Sequence, residues 1–468
     1  MTLRPQHCAV FLLSIMLLYA CNPFAPVKTP DASEILPKTY GLYEAEPADA
    51  SPWWHHLASP ELNRLIRDAL ADNFSIKSAW ARLRQARAMA VQAGAAVYPD
   101  LETTTSANFS RSRSGEGAST GAETYGFGLV SSYEVDLWGR VQSVRQAALL
   151  DIDASRADMQ AAMVSLAAEV ADRWVRIIAR KRQKRLLEKQ LANNRTLFEL
   201  IELRFRKAMI SVLDVYQQQQ VVANVRARIP LVEGEIRLLM HELAVLLGKP
   251  PQSALKLTQT KLPDIAGIPS VGLPADLLDN RPDIRAAGRR LKSVAWQVAA
   301  ARANRLPAIR LTAGAQYGAA DMNALFDTWL LSLAANLAAP LFDAGRRAAE
   351  VDRQQALADE NLWAYRQTVL TAVKEVSDAL SGEALQREHI HALEAAFAAA
   401  RKGLDEAMAR YRAGLSDYLP VLTQLLSVQE LEYNLIGRRA QLILYRIGLY
   451  RALGGQWPTE IEWGYEKE

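Results

Sequence analysis

Apolar and polar residues alternate strictly in one stretch of the second half of the chain. Ile309, Leu311, Ala313, Ala315 and Tyr317 take the odd positions and Arg310, Thr312, Gly314 and Gln316 the even ones. A period of two is the mark of a strand with one greasy and one wet face. Three further segments repeat it in the same phase. Leu101, Thr103, Thr105, Ala107 and Phe109 oppose Glu102, Thr104, Ser106, Asn108 and Ser110. Tyr125, Phe127, Leu129, Tyr133 and Val135 oppose Gly126, Gly128, Ser132, Glu134 and Asp136, and Trp329, Leu331, Leu333, Ala335 and Leu337 oppose Ser332, Ala334 and Asn336. The strands are expected over roughly 101–111, 124–136, 309–318 and 328–340, with Arg111 to Glu123 and Gly318 to Asp327 as hairpin loops. Segments of about ten residues with aromatics near their ends suit a transmembrane β-barrel, and a soluble half-buried hairpin shows the same alternation.

The remaining chain follows the helical period. No proline falls between Pro99 and Pro230 or between Pro340 and Pro420, so very long helices are permitted, one of them from Trp138 to about Arg206. Leu419, Leu422, Leu426, Gln429, Tyr433, Ile436, Ala440, Ile443, Ile447 and Tyr450 recur at spacings of three and four, as along a coiled-coil seam. Pro420 then sits in the first turn, where a missing N–H costs little.

The chain also repeats itself. Asp136-Leu137-Trp138-Gly139-Arg140 aligns with Phe342-Asp343-Ala344-Gly345-Arg346, and Arg204-Phe205-Arg206-Lys207-Ala208-Met209 aligns with Arg410-Tyr411-Arg412-Ala413-Gly414-Leu415, both about 206 residues apart. Tyr98-Pro99 and Leu306-Pro307 fall about 208 apart. Three landmarks in one order indicate a tandem duplication. Two strands per repeat give four per chain, and an open sheet edge in lipid leaves backbone groups unsatisfied. Closure therefore needs further copies: two chains give eight strands and a filled interior, three give twelve and a lumen. Glu102, Glu134, Arg310 and Gln316 line that lumen in this reading.

At the N-terminus, Arg4 precedes an apolar run from Cys8 to Tyr19, short for a membrane span and suited to a secretory leader. Leu18-Tyr19-Ala20-Cys21 resembles the lipobox of bacterial lipoproteins, which implies a signal peptide over residues 1–20 and a lipid on Cys21; Tyr19 is bulkier than the usual residue there, and ordinary cleavage after Ala20 is the alternative. Cys8 and Cys21 are the only cysteines, so the processed chain has no internal disulfide.

Composition narrows the function. A net charge of +4 across 468 residues gives no reason to invoke nucleic acid. Leu247-Gly248-Lys249-Pro250 lacks the spacing of a phosphate loop, so driving energy comes from elsewhere. His389 and His391 diverge on a helix, and His55 and His56 are adjacent; neither pair has helical metal-site spacing. Met159 and Met163 share a face of the kind that fills cores. No Gly-x-Ser-x-Gly elbow occurs. An enzyme, a metal and a bound cofactor are therefore not expected, the lipid on Cys21 apart.

With these features in hand, the chain resembles the outer membrane factor (TolC-like) family, in its lipoprotein branch serving tripartite efflux pumps. The resemblance covers nearly all of the processed chain. It is carried by Trp53-Trp54 with Leu62 and Leu65, by Asn280-Arg281-Pro282-Asp283-Ile284, by the paired Gly-Arg strand exits, by Arg410 to Leu415, and by Leu449 to Gly455. It implies a mainly α fold with a transmembrane β part: duplicated long helical hairpins forming an α-barrel, and four strands per chain completing a trimeric twelve-stranded β-barrel. The implied layout is an anchor and equatorial segment over 21–60, repeats over 61–247 and 275–455, an equatorial linker over 248–274 and an equatorial tail over 456–468.

The resemblance further implies a homotrimer in the outer membrane of a Gram-negative bacterium, extending into the periplasm. A periplasmic adaptor and a proton-driven inner-membrane pump are its partners, and the chain passively exports small toxic compounds. It assigns adaptor docking to the hairpin tips, with Arg204, Arg206, Ala208, Met209, Arg410, Arg412, Gly414 and Leu415. Leu419 matches a residue that narrows the closed pore in relatives. Thr423 stands where an acid is common, which leaves Asp417 and Asp214 as nearby carboxylates. Gly414 suits a positive φ, whereas Ala208 does not reach one cheaply, so the first tip is expected to depart from the second. Two alternatives remain at this point: an exit duct for type I protein secretion, and a non-conducting periplasmic coiled-coil lipoprotein scaffold.

Overall fold

A computed structural model describes residues 23–26, 36–37, 53–113, 119–265, 267 and 274–455. Cys21, the leader, and the tail 456–468 lie outside the described residues. The element order is α1 (Pro60–Asp72), α2 (Phe74–Ala95), β1 (Asp100–Ser112), β2 (Thr120–Val135), α3 (Arg140–Arg206), α4 (Val212–Leu246), α5 (Pro282–Ala303), β3 (Ala308–Ala319), β4 (Trp329–Ala338), α6 (Arg346–Arg412) and α7 (Leu419–Ala452). The duplication is visible in the lengths. Helices α2 and α5 have 22 residues each, α3 and α6 have 67 each, and α4 and α7 have 35 and 34. Pro230 does not end a helix: α4 runs through it and forgoes one backbone hydrogen bond there.

The chain divides into two compact units, one built on 81–157 and 285–367, the other on 158–284 and 368–468 with 33–80. The first holds the sheet, which is antiparallel throughout in the order β1-β2-β3-β4. Residues opposite each other across an antiparallel pair share a face, so the register decides whether the four alternations agree. Thr105, Phe127, Tyr317 and Trp329 fall in one row, and Leu101, Ser131, Ala313 and Leu333 in another of the same parity. The opposite parity collects Glu102, Val130, Gly314 and Ser332, and Glu134, Arg310 and Asn336. One face is thus mostly apolar and the other mostly polar across all four strands.

Among the described residues the apolar face is largely uncovered, with Phe326 packing on Phe127 and Tyr317 at one end. Leu101, Trp329, Leu333 and Leu337 are 63–82% exposed, and β1 and β4 are exposed along their whole lengths. Below the sheet, each long helix starts under a carboxylate cap. Asp136 accepts from the backbone N–H of Val141 and Gln142 at 3.1 and 2.8 Å, and Asp343 accepts from those of Gly345 and Arg347 at 3.2 and 3.3 Å. These bonds satisfy orphan donors at the positive ends of the helix dipoles. The indole of Trp138 donates to the Pro307 carbonyl at 2.7 Å and so ties the first repeat to the second.

The second unit is helical. Trp174, Ile177, Ile178 and Leu187 on α3 are buried, as are Ile443, Ile447 and Leu449 on α7. Met159 and Met163 are buried on α3 as core residues. Of the expected seam on α7, Leu422, Gln429, Ala440, Ile443, Ile447 and Tyr450 are buried, while Leu419 and Leu426 are 57% and 46% exposed. Trp53 lies fully buried and stacks on Tyr450 with ring centroids 5.5 Å apart. Glu61 accepts from the Trp174 indole at 2.8 Å and from the backbone and hydroxyl of Thr258 at 2.6 and 2.7 Å. It thereby clamps the extended segment after Pro250 against α3, where Lys181 and Arg185 also reach the carbonyls of Leu257 and Thr260.

Candidate functional site at the hairpin tips

Both long hairpins turn with the same hydrogen-bond pattern. The N–H of Met209 donates to Arg204 O at 3.0 Å and that of Ala208 to Phe205 O at 2.8 Å; the N–H of Leu415 donates to Arg410 O at 2.9 Å and that of Gly414 to Tyr411 O at 3.2 Å. This is the Schellman closure of a helix C-terminus, which requires one left-handed residue. Gly414 supplies it at φ 73° and Ala208 at φ 58°. The expected departure of the first tip is therefore corrected: the backbone is the same, and Ala208 bears the steric cost that Gly414 avoids, about 1–2 kcal/mol. Beyond the turn, Ser211 caps α4 by accepting from Leu213 N at 3.1 Å.

Together the tips present an apolar and basic surface on a tight core. Tyr411, Tyr418, Ile201, Val221, Val421 and Leu422 form the buried cluster that joins the two hairpins. Outside it, Met209, Leu213, Tyr216, Leu415 and Leu419 are 57–78% exposed. The Arg204 guanidinium sits 4.5 Å from the Tyr411 ring centroid. Arg206 pairs with Glu202 at 3.2 Å and Arg410 with Glu406 at 3.0 Å, both one helical turn back, and Arg412 is exposed. Such cations complement the carbonyl ends of α3 and α6. Thr423 is exposed, and its hydroxyl donates to Leu419 O at 2.9 Å. Asp417 is exposed and Asp214 half-buried.

The residues assigned to the lumen share the polar face of the sheet. Glu134 stands opposite Arg310, Glu102 opposite Val130, and Gln316 opposite Gly128. Glu134 is not a free wall residue, because Arg140 donates two hydrogen bonds to its carboxylate, each 2.8 Å. That bidentate pair ties the end of β2 to the start of α3.

Two buried charge centres in the helical unit went unread in the sequence. Arg281, the centre of the Asn-Arg-Pro-Asp-Ile stretch, has a side chain 8% exposed; it donates to Asp283 at 2.6 and 3.0 Å, to Glu375 at 2.8 Å and to the Ala452 carbonyl at 3.0 Å. Burial lowers its pKa, and the two carboxylates outweigh this and raise it above the ordinary value. Gly454 follows at φ 91°, and a Cβ there would lie 2.6 Å from Asn280 O. The two motifs far apart in sequence are thus two sides of one junction. Glu383 on α6 is fully buried and accepts from Arg446 on α7 and from Arg387 one turn along. The only available signal was a charge placed on an apolar helical face.

Among the described residues no helix is long and apolar enough to cross a membrane, and the two-faced sheet is the membrane-compatible part. Long duplicated hairpins joined to such a sheet define an outer-membrane channel. The outer membrane efflux protein family model matches residues 65–249 and 273–455, once on each repeat, and the chain belongs to that family. It is 34% identical to the pyoverdine export outer membrane protein OpmQ of Pseudomonas putida KT2440 over 97% of this chain and 98% of that protein. It is 30% identical to the outer membrane protein OprJ of Pseudomonas aeruginosa PAO1 over 97% of each chain. The solved outer-membrane channel OprN superposes with a TM-score of 0.82 and 28% identity, covering 93% of this chain and 98% of that one. The chain is an outer-membrane channel component of a Gram-negative efflux system, and it extends into the periplasm.

Proposed function

We propose that the protein is a lipid-anchored homotrimeric exit duct, with Cys21 carrying the lipid, that passively releases small toxic compounds delivered by a proton-driven inner-membrane pump through a periplasmic adaptor. The observation that carries the assembly is the sheet: four strands with one mostly apolar face, two open edges and, among the described residues, large apolar side chains left exposed on that face. Three copies supply twelve strands and leave a lumen, lined by Glu102, Arg310 and Gln316 with the Glu134–Arg140 pair at its periplasmic rim. The adaptor docks on the exposed apolar and basic residues of the tips, from Arg204 to Met209 and from Arg410 to Leu415. Leu419 narrows the pore, and Asp417 and Asp214 supply the nearby carboxylates that Thr423 does not.

OpmQ's name supports a second reading of the cargo, an exported pyoverdine, since the likeness to it spans 97% of this chain and 98% of that protein. Purified protein in a planar bilayer is expected to show discrete conductance steps from trimers, and deletion of the gene is expected to sensitise cells to several small toxic compounds. A preparation that never conducts, in wild type and with Leu419→Ala, contradicts the duct. Unchanged tolerance with loss of pyoverdine export favours the second cargo.

A further inference from the structure

The loop between β3 and β4 carries an apolar group that the duct reading leaves unused. Its backbone closes on itself. The Gly318 N–H donates to the Thr328 carbonyl at 3.4 Å across the hairpin, and the Asp327 N–H donates to the Ala324 carbonyl at 3.1 Å. Between them Asp321 accepts from the Asn323 N–H at 3.0 Å and opens a short 3-10 turn over Met322–Ala324. Leu325 is buried, whereas Phe326 is 66% exposed. The Phe326 ring nonetheless stands edge-on to two others, with centroids 5.3 Å from Tyr317 and 6.3 Å from Phe127. Those two residues are partners across β2 and β3 on the apolar parity of the sheet. Phe326 is therefore turned onto the apolar wall and away from the polar parity.

Resting on the duct reading above, we propose that the β3–β4 loop is a lipid-contact site, with the Phe326 ring seated among acyl chains of the outer leaflet at the outer rim of the barrel. The strands show why a loop residue is needed there. In the next row of the same parity Tyr125 stands opposite Ala319, the last residue of β3, and β4 begins only at Trp329. The β1–β2 hairpin runs on to the Ser112–Thr120 pair and carries its own aromatic pair, Phe109 edge-on to Tyr125 at 5.9 Å. The shorter β3–β4 hairpin has no strand residue at that height and places Phe326 there instead. On β3 the apolar parity from Ile309 to Tyr317 covers about 20 Å of membrane depth at the usual rise and tilt, against an apolar band about 25 Å tall. One ring beyond Tyr317 makes up the difference. Met322, in the same loop, is 61% exposed and Trp329 63%, so the apolar wall continues without a break from the strand ends into the loop. Such a patch is costly in water and favourable against acyl chains.

The test places single cysteines at Phe326, Ala315 and Gln316 of the full-length protein, each carrying a nitrobenzoxadiazole label, in phosphatidylcholine liposomes that include a minor fraction of lipid with a nitroxide high on its acyl chain. The protein without an added cysteine is the blank. Quenching by the nitroxide lipid at Phe326 is expected to come within about twofold of that at Ala315, on the apolar parity, and aqueous iodide to quench only Gln316. A label at Phe326 that iodide reaches as fully as at Gln316, beside a lipid-quenched Ala315, overturns the lipid site alone. Water at Ala315 contradicts the barrel, and the lipid site with it. Because the label replaces the ring it reports on, two unlabelled variants give a second readout, which decides alone if the labelled Phe326 variant fails to assemble. Phe326→Leu is expected to keep the wild-type yield of urea-resistant protein in outer membranes, and Phe326→Asp to lower it about threefold. Unchanged yield in both variants overturns the proposal. Equal loss in both marks a ring that serves only to pack on Tyr317, and overturns it as well.

Discussion

Ala208 shows how one side chain decides the cost of a shared geometry. Both tips use the same left-handed closure, and only the second has a glycine to make it cheap. Ala208→Gly is expected to stabilise the first hairpin by at most about 1 kcal/mol, and Gly414→Ala to destabilise the second by about 1 kcal/mol, read as opposite shifts in thermal melting. Arg281 is a heavier case. Removing its guanidinium strands the Ala452 carbonyl and two carboxylates that keep partial contact with water, so Arg281→Met is expected to cost on the order of 2–3 kcal/mol, measured as lost melting temperature. Glu61 makes the helical unit sensitive to acid. Burial raises its pKa, and the hydrogen bonds from Trp174, Thr258 and Gln259 overcome this and hold it below the usual value. Its contribution is therefore complete above the ordinary glutamate range and is lost as pH falls through the lowered value. Amide exchange at Thr258 is expected to accelerate only in that acid window, and to be fast and insensitive to it in Glu61→Gln. The cost at Ala208 was legible in the sequence; the roles of Arg281 and Glu61 were not, because they depend on partners far along the chain, Glu375 and Ala452 for the first and Trp174 and Thr258 for the second.

At the scale of elements the sequence says far more. Period-two alternation located four strands whose hydrogen-bonded register then placed their apolar parities on one face, because a strand's faces are fixed by geometry alone. The matched 67-residue helices follow from the internal repeat and the proline-free intervals. Pro230 is where that logic fails: a proline read as punctuation lies inside α4, whose packing through Val225 and Val232 carries the helix past it. Side-chain bonds across helices, such as Gln218 with Asn194, left no periodic trace. The two faces of β3 predict opposite tolerance. Ala313→Arg, on the apolar parity, is expected to cost about 2–4 kcal/mol in the membrane, whereas Thr312→Arg, on the polar parity, is expected to be nearly neutral. Yield of assembled, urea-resistant protein in outer membranes separates the two.

For the whole molecule, the sheet is intelligible only in company. In isolation it would leave two unpaired edges and a bare apolar face, a combination that water and lipid each penalise. Completion by sister subunits removes the edges, turns the apolar parity to lipid and encloses the polar parity around water. Family membership and the likeness to known channels agree with that arrangement. Cys8 and Cys21 are the only cysteines of the sequence, and the proposed processing removes the first and lipidates the second, so the most direct measurement is thiol labelling in intact outer membranes. Cysteines placed singly at Thr312 and Gln316 are expected to react with a small water-soluble maleimide, and cysteines at Ala313 and Ala315 to remain protected. Equal reaction at both parities would contradict a lipid-embedded barrel and the channel built on it.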